Sequence, residues 1–197
     1  FPAGYLHLGC DEEWDVGTCE LCSKRVENGE TPDMIFAGYL NRMNDFVREK
    51  LHKRMVIWDD LLETYTYSLK NLSRDIILCC WQYEKNIDLP RAHFKNCRKY
   101  DWLAIYRDLG YEFWFAPSVY SLNNIESFTR YALPHEPLGG LLTTWEKNQN
   151  TCFECYPLIR YCGKLWNGNH SFEQAVGEFF GCGEKNFLDA MRAFVEM

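Results

Sequence analysis

Short apolar runs closed by polar residues recur along this chain, and each of them predicts a β-strand. The runs are continuous rather than alternating, which is typical of parallel strands that helices cover on both faces. Five such runs lie at 5–8, 55–58, 76–81, 111–116 and 138–145.

Helical patterns separate these runs. Thr31 and Pro32 predict a helix start, as an N-cap and a residue of the first turn, and apolar residues then recur at helical spacing up to Lys53. Residues 13–30 are predicted to form a loop. Further helices are predicted over 88–109, 125–132 and 152–166, and two short ones follow Ser171, around Phe180 and Gly181.

The alternation of strands and helices indicates an α/β fold. Several of the strands end in a tryptophan or a carboxylate, which is the layout of the active face of a TIM (β/α)8 barrel. Five strands are too few to close such a barrel, and an open arc would leave two unpaired edges.

The first strand leads directly to candidate chemistry. Its apolar run breaks at Gly9, and Asp11 and Glu12 follow. Glycine permits a sharp bend, and the carboxyl end of a parallel strand is where α/β folds place catalytic groups. An acid pair after a strand is also common in ordinary solvated loops, so the pair alone leaves both interpretations open.

Composition narrows the classes of function. The chain has 197 residues, a formal net charge of -7 and 16% aromatic residues, including seven Trp. Aromatic rings suit carbohydrate sites because the C–H face of a sugar packs on a ring. The acidic chain shows no basic patch for nucleic acid. No apolar run approaches the roughly 20 residues of a membrane span.

Ten cysteines include two C-x-x-C pairs, Cys19 with Cys22 and Cys152 with Cys155. The pairs lie too far apart for a zinc ribbon, so neither a metal nor another cofactor is expected. A domain of this size needs no disulfides, and no secretory signal opens the chain. We therefore expect a reduced, cytoplasmic protein.

Residues 7–12 carry the spacing H-x-G-x-D-E, which resembles the motif of glycoside hydrolase family 20, the β-N-acetylhexosaminidases. The segment 58–60 is similar to the fifth strand of that family, and Trp81 falls where its sixth strand has a tryptophan. The segment 140–145 is similar to the eighth strand of the hexosaminidase D-like branch. The C-x-x-C that begins at Cys19 also looks like bacterial members of that branch.

The resemblance implies that the five runs are strands four to eight of a (β/α)8 barrel. Residues 1–170 would then be the C-terminal part of the barrel, and residues 171–197 a helical segment packed on it or following it. The first three strands would lie upstream of Phe1, or a second chain would supply the N-terminal half of the barrel.

The resemblance also implies a mechanism. Family 20 enzymes resemble one another in substrate-assisted retaining catalysis, in which the 2-acetamido oxygen of the sugar attacks C1. Glu12 maps to the general acid, and we expect apolar surroundings and the acidic neighbour to raise its pKa. Asp11 maps to the residue that binds the acetamido N–H. The implied substrates are glycans ending in N-acetylglucosamine or N-acetylgalactosamine.

Other residues map to substrate binding. Trp58, Trp81 and Trp145 are expected to wall the acetamido pocket and the face of the sugar ring, with core packing as the alternative. Tyr120 is a candidate to hydrogen-bond the acetamido oxygen. His7 is placed with the substrate-binding residues in a supporting role, although a lone histidine on a strand is more often part of the core.

Two positions depart from the family pattern. Tyr120 lacks the aspartate that often follows two residues later, and Lys147 stands where many members have the glutamate of Trp-x-Glu. Glu146 is therefore either a ligand contact or a surface charge, and the preference between the two sugars stays open.

The leading hypothesis is an exo-acting β-N-acetylhexosaminidase that is inactive as this chain alone. The second is a non-catalytic glycan-binding or interaction module built on a decayed barrel. The third is a zinc-dependent hydrolase that uses His7, Asp11 and the cysteine pairs.

Overall fold

The structure, a computed structural model, describes residues 2–94, 98–145, 155–168 and 170–196. The chain divides into two compact units. The first comprises Phe1–Trp81, Leu89–Phe115 and His135–Gly139, and the second comprises Gln82–Asp88, Ala116–Pro134 and Gly140–Met197.

The first unit holds almost all residues of the strands. In chain order its elements are β1 (Tyr5–His7), α1 (Glu20–Glu27), α2 (Pro32–Leu51), β2 (Arg54–Trp58), the 3-10 helix Asp60–Glu63, α3 (Thr66–Asn71), β3 (Ile77–Trp81), α4 (Trp102–Asp108), β4 (Phe113–Ala116) and β5 (Gly139–Gly140). Over the described residues the strands form a five-stranded sheet in the order β1-β2-β3-β4-β5. The β1–β2 and β2–β3 pairs are parallel, which confirms an α/β fold with parallel pairing.

The middle strands are buried on both faces, as the continuous apolar runs predicted. Met55, Val56 and Ile57 of β2 and Ile77 and Leu78 of β3 are all 0% exposed. Helix α2 packs on β2 and on α3, and α4 packs on β3. These apolar contacts hold the carboxyl ends of β1, β2 and β3 at fixed positions beside one another.

Helix α2 begins where the sequence predicted. Thr31 Oγ1 accepts the backbone N–H of Met34 at 3.2 Å, and Pro32 is the first residue of the helix. The helix ends at Leu51, and His52 follows in the left-handed conformation with a φ of 53°.

The second unit is helical. It contains α5 (Leu122–Ala132), α6 (Tyr156–Gly168), α7 (Phe172–Phe180) and α8 (Lys185–Glu196), and the 3-10 helix Leu133–His135 follows α5. Helices α6, α7 and α8 contact one another around a core that includes Leu158, Phe172 and Val195. Ser171 and Gln174 cap α7 reciprocally, and Gly181 ends it with a φ of 65°, so the two predicted short helices are confirmed.

Three predictions of local structure were wrong. The predicted loop 13–30 contains α1, whose N-cap is Cys19 rather than the expected oxygen-bearing residue. In the described part of 88–109 the helix is confined to Trp102–Asp108, because Pro90 cannot sit inside a helix, and Arg91 forms an antiparallel bridge with Lys99.

The third difference concerns the last strand. Its extended pairing covers Gly139–Gly140, and Thr143 forms an isolated parallel bridge with Ser118. A Cβ at Gly140 would lie 2.8 Å from the Trp166 ring, so the glycine lets that ring pack directly on the backbone.

None of the helices in the described ranges is long and apolar enough to cross a membrane. The boundary between residues 170 and 171 stays a prediction.

Candidate active site

The motif segment bends sharply just after β1. Gly9, Cys10 and Glu12 all have left-handed backbone, with φ values of 74°, 67° and 51°. A non-glycine residue in that region costs about 1–3 kcal/mol, and such strain concentrates at functional sites. At Gly9 the positive φ is what favours glycine, since a Cβ there would meet Asp11 Oδ1 at 3.4 Å, an ordinary contact.

Hydrogen bonds to β2 and beyond it hold this bend. Leu8 N–H donates to the Val56 carbonyl at 2.9 Å, and Trp58 N–H donates to the Gly9 carbonyl at 3.0 Å. Past the bend, Asp60 Oδ2 accepts the backbone N–H of Glu12 at 3.0 Å. A buried acid at the end of β2 therefore positions the backbone of the acid that follows β1.

The side chains of the motif pair are accessible. Asp11 is half-buried and Glu12 is exposed. The apolar surroundings expected for Glu12 are therefore not supplied by the described residues. The fold instead holds the backbone of Glu12 through Asp60 and leaves the Glu12 side chain exposed to solvent.

His7 lies behind the bend as a neutral side chain. Its Nδ1 accepts the backbone N–H of Gly9 at 3.0 Å, and its ring lies 4.5 Å from the Trp58 ring. Burial lowers the pKa of His7, although the charge of Asp11 opposes this. Nδ1 accepts a hydrogen bond, so the proton of the neutral ring sits on Nε2, which is buried without a partner among the described residues.

A second acid pair follows β2, and it is buried. Asp59 and Asp60 are both 0% exposed. Burial raises the pKa of Asp59 to about 7, while the charge of His93 and the hydrogen bond from Tyr106, whose Oη donates to Oδ2 at 2.7 Å, oppose it. Burial raises the pKa of Asp60 to about 6, against the hydrogen bond from the Glu12 backbone.

A buried ion pair stands beside these acids. Glu63 Oε2 accepts the backbone N–H of His93 at 2.6 Å, and Oε1 lies 2.8 Å from His93 Nδ1. His93 Nε2 lies 2.8 Å from the Trp81 carbonyl oxygen. Both ring nitrogens thus face acceptors, which the imidazolium satisfies. Burial lowers the pKa of His93, but Glu63, Asp59 and the Trp81 carbonyl outweigh burial, so that pKa is raised.

Aromatic rings line the same region of the first unit. The Trp81 and His93 rings are 3.7 Å apart at an interplanar angle of 40°. Phe94 packs on His93 at 5.8 Å and meets Trp14 edge to face at 4.3 Å. Trp14 is 58% exposed, so the row runs from the core to the surface.

Two predicted residues lie together in the second unit. Trp145 Nε1 donates to Tyr83 Oη at 2.7 Å, and the Tyr83 and Tyr120 rings meet edge to face at 6.0 Å. Tyr83 therefore joins Tyr120 and Trp145 into one aromatic cluster. Glu146 lies outside the described residues.

The structure thus brings five of the predicted residues to the ends of β1, β2 and β3, namely His7, Asp11, Glu12, Trp58 and Trp81. Sequence reasoning missed Asp60, Glu63 and His93. Asp60 carried the same signal as Glu12, an acid directly after an apolar strand. His93 carried none, since it falls in the segment that was predicted to be helical.

Within the described ranges, no group of three or more His, Cys, Asp or Glu side chains could hold a metal ion. Of the two C-x-x-C pairs, Cys19 and Cys22 are described, whereas Cys152 lies outside the described residues. The ends of the strands therefore offer acid–base groups and aromatic surfaces as their chemistry.

The sequence of this chain is similar to those of known glycoside hydrolases. The model of the family "Glycosyl hydrolase family 20, catalytic domain" matches residues 1–132. A beta-hexosaminidase of Porphyromonas gingivalis (strain ATCC BAA-308 / W83) is 35% identical over 68 residues, which is 32% of this chain. The matched part is 8% of that protein, so the chain spans a small share of its relative's length.

Proposed function

This chain belongs to glycosyl hydrolase family 20, and on that premise we propose that it carries the acid pair of an exo-acting β-N-acetylhexosaminidase. The observation that carries the proposal is the placement of the motif. Asp11 and Glu12 stand on a strained bend after a parallel strand, and Asp60 holds the Glu12 backbone at 3.0 Å. The substrate would be a glycan ending in N-acetylglucosamine or N-acetylgalactosamine.

In this proposal Glu12 is the general acid and base. It protonates the departing glycosidic oxygen while the sugar's own acetamido oxygen attacks C1, and it then activates water against the resulting oxazolinium ion. Its side chain is exposed and can contact a ligand, and the hydrogen bond to its backbone restricts the position of the carboxylate. A restricted position favours proton transfer, because the carboxyl group must lie within hydrogen-bond distance of the glycosidic oxygen.

Asp11 accepts the acetamido N–H and offsets the positive charge that develops on that group. Trp58 and Trp81 form a wall on the sugar and its acetamido arm. His7 supports the motif from behind, where its Nδ1 accepts the backbone N–H of Gly9. The family resemblance further suggests Tyr120, Trp145 and Glu146 as substrate-binding residues.

We also propose that β1 to β5 correspond to strands four to eight of a TIM (β/α)8 barrel, with residues 171–197 as a helical segment of their own. The first three strands would come from residues preceding this chain or from a second chain. Activity is expected only when the barrel is complete, because an incomplete barrel cannot enclose the sugar and shield it from bulk water.

Hydrolysis of an aryl β-N-acetylglucosaminide by the complete protein tests the proposal. Glu12→Gln should lower kcat/KM by about 100- to 10,000-fold, since general acid–base catalysis is worth that much. The variant should keep its unfolding midpoint in urea, because Glu12 is exposed. Near-full activity of Glu12→Gln would remove the role assigned to it.

Calorimetry with a GlcNAc-derived thiazoline separates binding from turnover. An active hydrolase should bind this mimic of the oxazolinium ion, and Asp11→Ala should weaken the binding. If the wild-type protein binds the thiazoline tightly but hydrolyses no substrate, the result would favour a glycan-binding module over an enzyme.

A further inference from the structure

A pair of cysteines lies at the start of α1, apart from the acids. Cys19 is the N-cap, with φ and ψ of -69° and 158°, and its sulfur accepts the backbone N–H of Cys22 at 3.4 Å. Cys19 is exposed and Cys22 is half-buried. Each of the two thiols also shifts the pKa of the other.

This choice of cap has a chemical consequence. N-caps are usually Ser, Thr, Asp or Asn, because an oxygen accepts the orphan N–H groups well. A neutral thiol is a weak acceptor, whereas a thiolate at a helix N-terminus is stabilised by those N–H groups and by the helix dipole. The Cys22 N–H and the Cys22 thiol accordingly lower the pKa of Cys19, while the same thiol contact raises the pKa of Cys22.

Other cysteines of the described chain differ. Burial raises the pKa of Cys10 to about 11 and that of Cys162 to about 12. Burial also raises the pKa of Cys79 and Cys80 well above the ordinary value. Among the described cysteines with a shifted pKa, Cys19 alone combines a lowered pKa with exposure to solvent. This combination marks a reactive thiol rather than a core residue.

The turn before α1 keeps the pair together. Gly17 has a φ of 97°, which side chains rarely allow, and a Cβ there would lie 3.2 Å from Pro32 Cγ, so glycine is favoured at this turn. Ser23 Oγ donates to the carbonyls of Gly17 and Thr18 at 3.3 and 3.2 Å. A nucleophile and a second thiol are thus positioned in advance by local structure.

We propose that Cys19 and Cys22 form a redox-active dithiol that exchanges with low-molecular-weight disulfides such as glutathione disulfide. The Cys19 thiolate attacks one sulfur of the disulfide, the S–S bond breaks, and the leaving thiolate takes up a proton from water. Cys22 then gives up its proton and attacks the Cys19 sulfur of the mixed disulfide, expelling the second thiol. One disulfide is reduced to two thiols, and the pair is oxidised by two electrons to a Cys19–Cys22 disulfide.

Intact-mass and peptide mapping of the reduced chain, after treatment with glutathione disulfide, test the proposal. The wild type should lose two hydrogens, both from the Cys19–Cys22 peptide. Cys22→Ser should retain one glutathione on Cys19, because the resolving thiol is gone. Cys19→Ser should leave Cys22 unmodified, and serine preserves the helix cap. Cys182→Ser is the matched control, since Cys182 is half-buried outside this pair, and it should behave as wild type.

Alkylation rates give an independent measure. At neutral pH, iodoacetamide should modify Cys19 about tenfold faster than Cys182, because the thiolate is the nucleophile. Equal rates at the two cysteines, together with no intramolecular disulfide, would overturn the proposal. Stoichiometric zinc on the purified chain that is lost in Cys19→Ser would overturn it as well, because the pair would then be a metal ligand.

Discussion

The ends of β1 and β2 carry the same sequence pattern in opposite environments. Each apolar strand is followed by two adjacent acids. Asp11 is half-buried, and Glu12 is exposed and has a positive φ, whereas Asp59 and Asp60 are 0% exposed. The first pair is accessible to a ligand, and the second binds groups of the protein, among them the Glu12 backbone. An acid pair after a strand therefore locates the site, and burial separates the acids that can meet substrate from those that hold the site.

The largest effect is expected from breaking the buried ion pair beside β2. His93→Ala should lower the free energy of unfolding by about 3–5 kcal/mol, because it leaves the Glu63 carboxylate buried without a counter-charge. Glu63 and His93 side chains are 1% and 9% exposed. Urea unfolding followed by tryptophan fluorescence measures the loss.

His135 is the matched control for that change. It lies 3.7 Å from Asp101, whose side chain is 45% exposed. His135→Ala should cost at most about 1 kcal/mol, since solvent screens a pair of this kind. Similar losses for the two histidines would mean that the Glu63–His93 pair contributes no more than a surface pair.

The next effect concerns the exposed pair after β1. Asp11→Ala should lower kcat/KM on an N-acetylated aryl glycoside by about 100- to 1,000-fold, because the charge on the acetamido group loses its partner. The matched non-acetylated glycoside should lose far less. Equal losses on the two substrates would contradict the acetamido role of Asp11, and unchanged urea unfolding would confirm that the variant folds.

The buried pair should also make stability depend on pH. The pKa of Asp59 is raised to about 7 and that of Asp60 to about 6, from an ordinary 3.8, in both cases chiefly by burial. The folded state thus binds more protons than the unfolded chain between about pH 4 and pH 7, so the free energy of unfolding falls as pH rises through that window. His93, whose pKa is also raised, acts in the same direction at higher pH.

Urea unfolding at pH 5 and at pH 8 measures this dependence. We expect the chain to be less stable at pH 8 by about 4 kcal/mol, and Asp59→Asn to reduce the difference. Carboxylates with a lowered pKa, such as Glu30 and Glu178, titrate below this window and do not offset it. A free energy of unfolding that rises from pH 5 to pH 8 would contradict the raised pKa values of Asp59 and Asp60.

The smallest effect should come from one hydrogen bond to the buried pair. Tyr106→Phe removes the hydroxyl that donates to Asp59 Oδ2 at 2.7 Å and should cost about 1 kcal/mol of stability. Tyr100→Phe, at a ring that is 39% exposed, is the control and should change the unfolding midpoint little. A larger loss at Tyr100 than at Tyr106 would reverse the expected order.

Short sequence signals at the helix ends predicted the start of α2 and the bounds of α7. Thr31 with Pro32, and Ser171 with Gly181, supply their own hydrogen bonds and backbone angles, so α2 and α7 begin or end where the sequence indicated. Helix α1 was missed because its cap is a cysteine, and the pattern over 88–101 was misread although Pro90 lies within it. A periodic pattern without its caps is weak support for a helix.

The candidate site divides in the same way. The spacing of residues 7–12 identified Asp11 and Glu12, and the strand ends identified Trp58 and Trp81. His93 could not be identified, because its partners Glu63 and Trp81 lie 30 and 12 residues away along the chain. Such a contact depends on how the chain packs rather than on any neighbouring residue.

The sequence by itself determined the parallel α/β class, the five strands, the family and the acid pair that follows the first strand. These features depend on the periodicity of apolar residues and on short motifs, and both involve residues that are close together in the sequence. Only the tertiary structure decided that Asp59 and Asp60 are buried, that Asp60 holds the Glu12 backbone, and that both ring nitrogens of His93 face acceptors, on Glu63 and Trp81. Burial and the pKa values that follow from it are properties of what surrounds a side chain, and those surroundings come from residues far away in the chain.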